Sequence, residues 1–220
     1  MESKNNILEI FDKANIIKDL KEKEPYDFYY DYLLGQDIWY FLKQDIPNAS
    51  QHYDRFKKHI SKKLNIHFHN ISIIGSAKTR FSLSPDGKFS EFRDILDVNT
   101  NGNDEVKESD LDIVLVSDEL FNEIWKSFRK ISKNKRIRDY NKKTSEIFRG
   151  FISIKDTDEI YENDYIKQWI SKISSLKADI QTIFHIYVDF NYRIYKNWEA
   201  VEDYHIDGIK KLKENIKDAK

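Results

Sequence analysis

Two short stretches of this chain carry residue types and spacings that suit phosphate and metal chemistry. The first is Ile71-Ser72-Ile73-Ile74-Gly75-Ser76, an apolar run that ends in a Gly-Ser pair. The second is Ser109-Asp110-Leu111-Asp112, which continues into apolar residues. Glycine lets backbone N–H groups approach a phosphate closely, and a serine hydroxyl can donate a hydrogen bond to the same group. The two stretches are therefore suited to hold a nucleoside triphosphate and its metal ions.

The aspartates of the second stretch have the spacing of two metal ligands. On a strand, Asp110 and Asp112 would project from one face with Cα atoms about 6.6 Å apart, near enough to bind metal ions roughly 3.5–4 Å apart. Two carboxylates beside apolar residues 113–116 need a cation to offset their charge, and oxygen ligands favour Mg²⁺ or Mn²⁺. The alternative interpretation is a solvated strand end. Gly75-Ser76 at the end of the preceding strand favours the metal site.

The N-terminal part of the chain has the hydrophobic spacing of helices. Amphipathic helices are predicted over residues 7–21 and 26–43, and a third helix is predicted to end near Leu64. We therefore expect a helical segment, residues 1–65, packed on a domain formed by residues 66–220.

The two chemical stretches fall in predicted strands. From residue 66 the hydrophobic period changes to two, which predicts a strand over residues 66–74 that Gly75 ends. A second strand is predicted over residues 110–116. Ser117 then has the position of an N-cap for a helix that runs through Phe128.

The remainder of the chain completes a mixed α and β pattern. Residues 130–143 are basic and poor in large apolar side chains, which predicts a loop. A helix is predicted over residues 161–174, an alternating strand over residues 180–195, and a closing helix from residue 197 to about residue 217. The order of elements predicts an α+β fold.

These motifs resemble a known superfamily. Gly75-Ser76, Ser82-Leu83-Ser84-Pro85, Ser109-Asp110-Leu111-Asp112 and Asp118-Glu119-Leu120-Phe121 together look like the DNA polymerase beta-like nucleotidyltransferases. They look most like the small stand-alone members found in bacterial antiviral-defence and toxin-like operons. The match covers about residues 71–128, with a weaker likeness at residues 148–151 and 194–199.

The resemblance implies a fold, an activity and partners. The fold would be a mixed β-sheet flanked by helices. The activity would be metal-dependent transfer of an NMP or dNMP from a nucleoside triphosphate to a hydroxyl of a nucleotide, an RNA or DNA end, or a protein. It also implies Mg²⁺ or Mn²⁺ as cofactor and a protein partner encoded in the same operon. A catalytically inactive domain of this fold, which binds a nucleotide or a protein, is the alternative.

Members of the superfamily normally carry a third carboxylate on a later strand. Asp189 is the candidate, because it lies on the polar face of the predicted strand 180–195 with Asn191 and Arg193. Asp179 and Asp118 are the alternatives. The resemblance thus implies catalytic and metal-binding roles for Asp110, Asp112 and Asp189.

Three basic residues are further candidates for binding the nucleotide beside Gly75 and Ser76. Lys78 and Arg80 follow the Gly-Ser pair directly. Arg149 lies among apolar neighbours, which favours a partly buried guanidinium paired with a carboxylate or phosphate. The alternative for the basic residues between 130 and 149 is a solvated surface loop.

Two other patterns are formally metal-like. Residues 97–108 fit the EF-hand loop pattern, but a strand rather than a helix is predicted to follow. His67 and His69 would share a strand face, but no third zinc ligand is indicated. We expect a polar loop and ordinary imidazoles.

Composition limits the remaining classes of function. The chain has 220 residues, with 37 basic and 38 acidic side chains, so no overall field favours nucleic acid. The absence of cysteine excludes disulfides, thiolate zinc sites and cysteine nucleophiles. No stretch approaches about 20 apolar residues, which predicts a cytoplasmic protein without a membrane partner.

Overall fold

The computed structural model describes residues 9–44, 47–87, 89–94, 108–133, 139–154 and 163–218. The chain forms two compact units, and each is assembled from separated stretches of sequence. Unit 1 comprises residues 1–55, 73–112 and 203–220, and unit 2 comprises residues 56–72 and 113–202. The predicted division into residues 1–65 and 66–220 stays a prediction.

The first predicted helix, over residues 7–21, is interrupted at Phe11 and Asp12: residues 9–10 are helical as well, and residues 7–8 lie outside the described part. Helix α1 spans Lys13–Glu22, because Asp12 caps it by accepting hydrogen bonds from Ala14 N and Asn15 N. Helix α2, Pro25–Tyr29, continues as a π-helical turn over Tyr30–Leu34.

Helix α3 spans Trp39–Leu42, and helix α4 spans Ala49–Leu64. The predicted continuous helix over residues 26–43 is therefore wrong. Its backbone is extended at Gly35, which has φ −54° and ψ 160°. The predicted end near Leu64 is confirmed.

A four-stranded mixed sheet flanked by helices forms the β part of the fold. Its strands are β1 (Ile71–Ile74), β2 (Leu111–Val116), β3 (Phe151–Ile152) and β4 (Phe190–Tyr195), in the order β1-β2-β4-β3. Strand β3 is antiparallel to β4, with Phe151 opposite Tyr195 and Ile152 opposite Ile194. The predicted α+β class is confirmed at this level.

Two predicted strands are longer than the observed ones. Residues 68–70 form a 3₁₀ turn before β1, so His67 and His69 do not share a strand. Residues 180–184 belong to helix α8, which spans Asp164–Phe184, and β4 begins only at Phe190. A strand requires a hydrogen-bonded neighbour as well as alternation, and alternation alone could not locate these ends.

The remaining helices confirm the predicted N-cap at Ser117 and correct the loop predicted over residues 130–143. Short helix α5 spans Ser76–Thr79, and helix α6 spans Asp118–Ser132, where Ser117 Oγ accepts a hydrogen bond from Leu120 N at 3.2 Å. Helix α7, Tyr140–Phe148, replaces the end of the loop predicted over residues 130–143, and α6 replaces its start. Residues 134–138 lie outside the described part. The closing helix, α9, spans Trp198–Asp218 as expected.

Each unit has its own buried apolar contacts. In unit 2, α8 buries at least one side chain in every turn, and the indole N–H of Trp169 donates to the hydroxyl of Tyr192 on β4 at 3.0 Å. In unit 1, a cluster joins α1, α2, the π-helical turn, α9 and the side chains of Phe81, Leu83 and Phe89. Its buried members are Ile16, Leu20, Phe28, Tyr29, Tyr32, Leu33, Phe81, Leu83, Phe89, Ile206, Ile209 and Leu212.

Across the described residues, no helix combines the length and the apolar character that crossing a membrane requires.

Candidate functional site

The Gly-Ser turn has a backbone conformation that only glycine adopts readily. Gly75 follows β1 with φ 70° and ψ −157°, a region that disfavours any residue with a Cβ. The carbonyl of Gly75 then accepts hydrogen bonds from Lys78 N at 3.0 Å and Thr79 N at 3.2 Å, and from Thr79 Oγ1 at 3.1 Å. These bonds fix the turn from β1 into α5.

The carboxylate of Asp112 lies directly against this turn. A Cβ added to Gly75 would stand 2.7 Å from Asp112 Oδ2 and 3.5 Å from Asp112 Cγ. Two features therefore favour glycine at position 75: the dihedral angles there and the neighbouring carboxylate of Asp112. Both residues belong to unit 1. The structure thus brings the two chemical stretches together.

Asp110 and Asp112 occupy the beginning of β2. The strand starts at Leu111, so Asp110 stands just before it, and both aspartates are half-buried. Two hydrogen bonds anchor the preceding residue: Ser109 N donates to the Arg93 carbonyl at 3.0 Å, and Arg93 N donates to Ser109 Oγ at 3.0 Å. These two bonds fix the backbone at Ser109, directly before Asp110 and β2.

The carboxylates fit a hard divalent cation by their chemistry. Asp110 and Asp112 offer oxygen ligands of the kind that Mg²⁺ and Mn²⁺ prefer, at positions reached by solvent. Gly75 itself adds no side chain beside Asp112 Oδ2, where a Cβ would stand at 2.7 Å. Among the described residues, no group of three or more His, Asp or Glu side chains is arranged to hold a metal ion. The metal site stays a prediction.

The two cations that follow the turn have partners within unit 1. Lys78 is 1% exposed, and its ammonium donates to the carbonyls of Gly35 and, at 3.3 Å, Asp37. The Arg80 guanidinium pairs with Glu91 at 2.7 Å. Lys78 therefore stabilises the fold in this structure, whereas Arg80 forms an exposed ion pair, which contributes little to stability.

Asp189, the candidate third carboxylate, belongs to unit 2. It stands just before β4, and its side chain is 68% exposed. Asp189 Oδ1 lies 3.2 Å from the Lys177 ammonium and accepts a hydrogen bond from Phe190 N at 2.9 Å. Its role in metal binding stays a prediction.

The alternative carboxylate Asp179 has two basic partners in the same unit. Lys63 Nζ lies 2.9 Å and His59 Nε2 lies 2.8 Å from Asp179 Oδ2. Hydrogen bonds from Lys63 and His59 lower the pKa of Asp179 below its ordinary value. The other alternative, Asp118, begins α6.

Arg149 lies at the end of α7 and is exposed, so its predicted partial burial is wrong. Its guanidinium lies 5.9 Å from the ring centroid of Phe151. The end of helix α7 and the turn at Gly150 place the Arg149 side chain in solvent. The apolar residues beside Arg149 in the sequence do not predict this exposure.

The sequence did not predict one cluster, in which three aromatic rings lie around the Lys43 ammonium. The Lys43 ammonium lies 4.9 Å from the ring centroid of Trp39, 5.1 Å from that of Tyr40 and 5.3 Å from that of Phe92, and 3.1 Å from Asp94 Oδ2. Burial, with the Asp94 carboxylate nearby, raises the pKa of Tyr40. The density of aromatic residues before Lys43 was the available signal, but Phe92 and Asp94 lie far along the chain.

The two metal-like patterns gain no support. Apart from Glu108, the EF-hand pattern lies outside the described residues. His67 Nδ1 accepts a hydrogen bond from His69 N at 3.3 Å, which is an interaction within the 3₁₀ turn.

Glycine turns and aspartate carboxylates are groups that commonly bind phosphates and cations, and Gly75 and Asp112 place one of each side by side. No protein-family model matches the chain, and no curated protein or solved structure matches it.

Proposed function

We propose that this chain is a metal-dependent nucleotidyltransferase with a nucleotidyltransferase-type fold. One observation carries the proposal: the carboxylate of Asp112 lies so close to Gly75 that no side chain fits between them. A turn able to receive phosphate oxygens and a carboxylate able to bind their counter-ion are therefore neighbours. The resemblance of the two motifs to this superfamily is the second support.

Each residue of the proposed site has a distinct task. The Gly75 backbone and the Ser76 hydroxyl would hold the β- and γ-phosphates of the triphosphate. Asp110 and Asp112 would bind Mg²⁺ or Mn²⁺, which when bound neutralises charge on the phosphates. Asp189 is proposed as the third carboxylate on the strength of the resemblance. Positioning and charge neutralisation would supply most of the rate enhancement.

The proposed reaction conserves all its atoms. The acceptor hydroxyl oxygen forms a bond to the α-phosphorus, and the bond from that phosphorus to the bridging oxygen breaks. Pyrophosphate leaves, and the hydroxyl proton passes to a carboxylate or to water. The acceptor is a nucleotide, a nucleic-acid end or a protein hydroxyl. We further propose a cytoplasmic role in bacterial antiviral defence, with an operon-encoded protein partner.

A second candidate is a catalytically inactive domain that binds a nucleotide or a protein. Three interactions favour it. Lys78 donates to backbone carbonyls, Arg80 pairs with Glu91, and Asp189 pairs with Lys177. A domain that does not catalyse transfer would need neither a third carboxylate at the metal nor cations that stabilise a transition state.

Pyrophosphate release tests the proposal. Purified chain would be incubated with Mg²⁺ or Mn²⁺ and each nucleoside triphosphate, with nucleotide, oligonucleotide and protein acceptors. Asp110→Ala and Asp112→Ala would be compared with Asp207→Ala, a matched change at an exposed aspartate of α9. Binding of a nonhydrolysable triphosphate would be measured in parallel, with and without metal.

The three outcomes are distinct. Release by the parent and by Asp207→Ala, lost by about 100-fold or more in the two site variants, supports the enzyme. Metal-dependent triphosphate binding without release favours the inactive domain. Release that survives Asp112→Ala, or no turnover and no metal-dependent binding under any condition, contradicts the proposed transferase.

A further inference from the structure

Residues 92–94 connect the two chemical stretches of the proposed site. Phe92 N donates to the carbonyl of Arg80 at 2.7 Å, and Arg80 is the residue directly after α5. Arg93 exchanges two hydrogen bonds of 3.0 Å with Ser109. We call residues 92–94 the bridging segment, because its backbone is bonded on one side to the end of the Gly-Ser turn and on the other to the residue before the two aspartates.

The Lys43 ammonium joins the side chains of the bridging segment to α3. It lies 5.3 Å from the ring centroid of Phe92 and 3.1 Å from Asp94 Oδ2. On α3, it lies 4.9 Å from the ring centroid of Trp39 and 5.1 Å from that of Tyr40. The Phe92 ring also packs on both of these rings, with centroids 5.8 Å and 5.4 Å apart. One cation thus contacts two side chains of the bridging segment and two of α3.

These contacts are largely shielded from water. The three rings are at most 9% exposed, and the side chains of Lys43 and Asp94 are 23% and 22% exposed. The attraction between a cation and an aromatic face strengthens when solvent is excluded, and a partly buried ion pair is screened less than an exposed one. Removing the charge of Lys43 should therefore loosen the bridging segment.

We propose that Lys43 is a positioning residue for the proposed metal site. By fixing the bridging segment it holds Ser109, and Ser109 sets the backbone position of Asp110. All of these residues belong to unit 1. The inference rests on the proposed transferase, because Asp110 enters it as a metal ligand. It requires no contact of Lys43 with metal or triphosphate.

Three substitutions separate charge from packing. Lys43→Met keeps an unbranched side chain and removes the charge, whereas Lys43→Arg keeps the charge and a group that stacks on aromatic rings. Lys23→Met is the matched control in unit 1. The Lys23 ammonium lies 2.7 Å from Asp19, 2.8 Å from Asp31 and 5.8 Å from the ring centroid of Tyr32, so its loss also removes carboxylate and ring contacts.

Hydrogen exchange of the Arg93 and Ser109 amides measures the bridging segment without any metal. Lys43→Met should speed the exchange of both amides by about 3- to 10-fold, the scale expected for loss of a partly buried cation–aromatic contact. Lys43→Arg should restore the rates of the parent, and Lys23→Met should leave them unchanged. Unchanged exchange in Lys43→Met overturns the inference, and so does an equal acceleration by Lys23→Met.

Electron paramagnetic resonance of Mn²⁺ with the full chain measures the proposed metal site, with and without a nonhydrolysable triphosphate. Lys43→Met should bind Mn²⁺ about 10-fold more weakly than the parent, which is the lower end of the loss when a group that orients a ligand is removed. Lys43→Arg should recover the affinity, and Lys23→Met should bind like the parent. A purely structural role would not separate the two Lys→Met variants in this way.

A double-mutant cycle tests the route through Ser109. Ser109→Ala removes the acceptor of Arg93 N, so in that background Lys43→Met should weaken Mn²⁺ binding further by less than about 2-fold. Additive effects overturn the inference and leave the proposed transferase in place, as does equal Mn²⁺ affinity of the parent and Lys43→Met. Failure of the parent to bind Mn²⁺, alone or with triphosphate, instead removes the metal site itself and with it any role of Lys43 there.

Discussion

Replacing Gly75 by alanine probes the contact on which the proposed site depends. The new residue would have to adopt φ 70° and ψ −157°, which costs a residue with a Cβ about 1–3 kcal/mol. Its Cβ would also meet Asp112 Oδ2 at 2.7 Å. Turning the carboxylate out of its rotamer adds about 0.5–1.5 kcal/mol. We therefore expect Gly75→Ala to lower the free energy of unfolding by about 1.5–4.5 kcal/mol.

Urea denaturation of the full chain measures this loss. Gly35→Ala is the matched control, because nothing lies within 4 Å of the position a Cβ would take and its φ of −54° suits alanine. The control should change stability little, or raise it by about 0.4–1 kcal/mol through the unfolded state. Both glycines lie in unit 1, so a difference between them reports the local contact.

A double-mutant cycle with Asp112→Ala separates the two costs. Once the carboxylate is gone, only the backbone strain of Gly75→Ala remains, so its effect should shrink by about 0.5–1.5 kcal/mol. Equal costs in the two backgrounds would refute a close contact between Gly75 and Asp112. A cost of Gly75→Ala no larger than that of Gly35→Ala would refute the backbone strain as well.

Three further changes test other parts of the fold. Ser117→Ala removes the N-cap of α6 and should lower stability by about 1 kcal/mol, measured by thermal or urea unfolding. Gly208→Ala, inside α9 with nothing within 4 Å of its Cβ position, should raise stability by about 0.5–1 kcal/mol; a loss would contradict the open space there. Asp179→Asn removes the carboxylate held by Lys63 and His59. Because the folded pKa of Asp179 is lowered, its contribution is complete above its ordinary value near 3.8 and disappears as the pH falls through the folded value. The unfolding midpoints of parent and variant should therefore differ near neutral pH and converge in strong acid, and a gap that persists in acid would contradict the ion pairing.

Residues 185–195 show where pattern and structure diverge. The predicted alternation is present, since Ile186, Val188, Phe190, Tyr192 and Ile194 are all buried. Only the part from Phe190 onwards is a strand, because residues 185–189 lack a place in the sheet. Burial on alternate residues follows from the sequence, whereas the hydrogen-bonded partner does not.

The basic residues diverge for a related reason. Lys78 and Arg80 stand next to the Gly-Ser turn in sequence, which suggested phosphate binding. In the fold, Lys78 donates to the carbonyls of residues 35 and 37 and Arg80 pairs with Glu91, and phosphate binding by either side chain stays a prediction. Lysine and arginine side chains are long and flexible, so their charged ends can reach acceptors on either side of the backbone. Which acceptors are nearest depends on segments distant along the chain.

The sequence by itself determined the features that depend on neighbouring residues. These are the glycine turn after an apolar strand, the cap at Ser117, the closing helix and the α+β class, because dihedral preference and periodicity act locally. Only the tertiary structure decided that Asp112 lies against Gly75, that three aromatic rings lie around the Lys43 ammonium, and that Arg93 is hydrogen-bonded to Ser109. Such contacts join residues remote in sequence, and they follow from strand order and packing, to which no local pattern is sensitive.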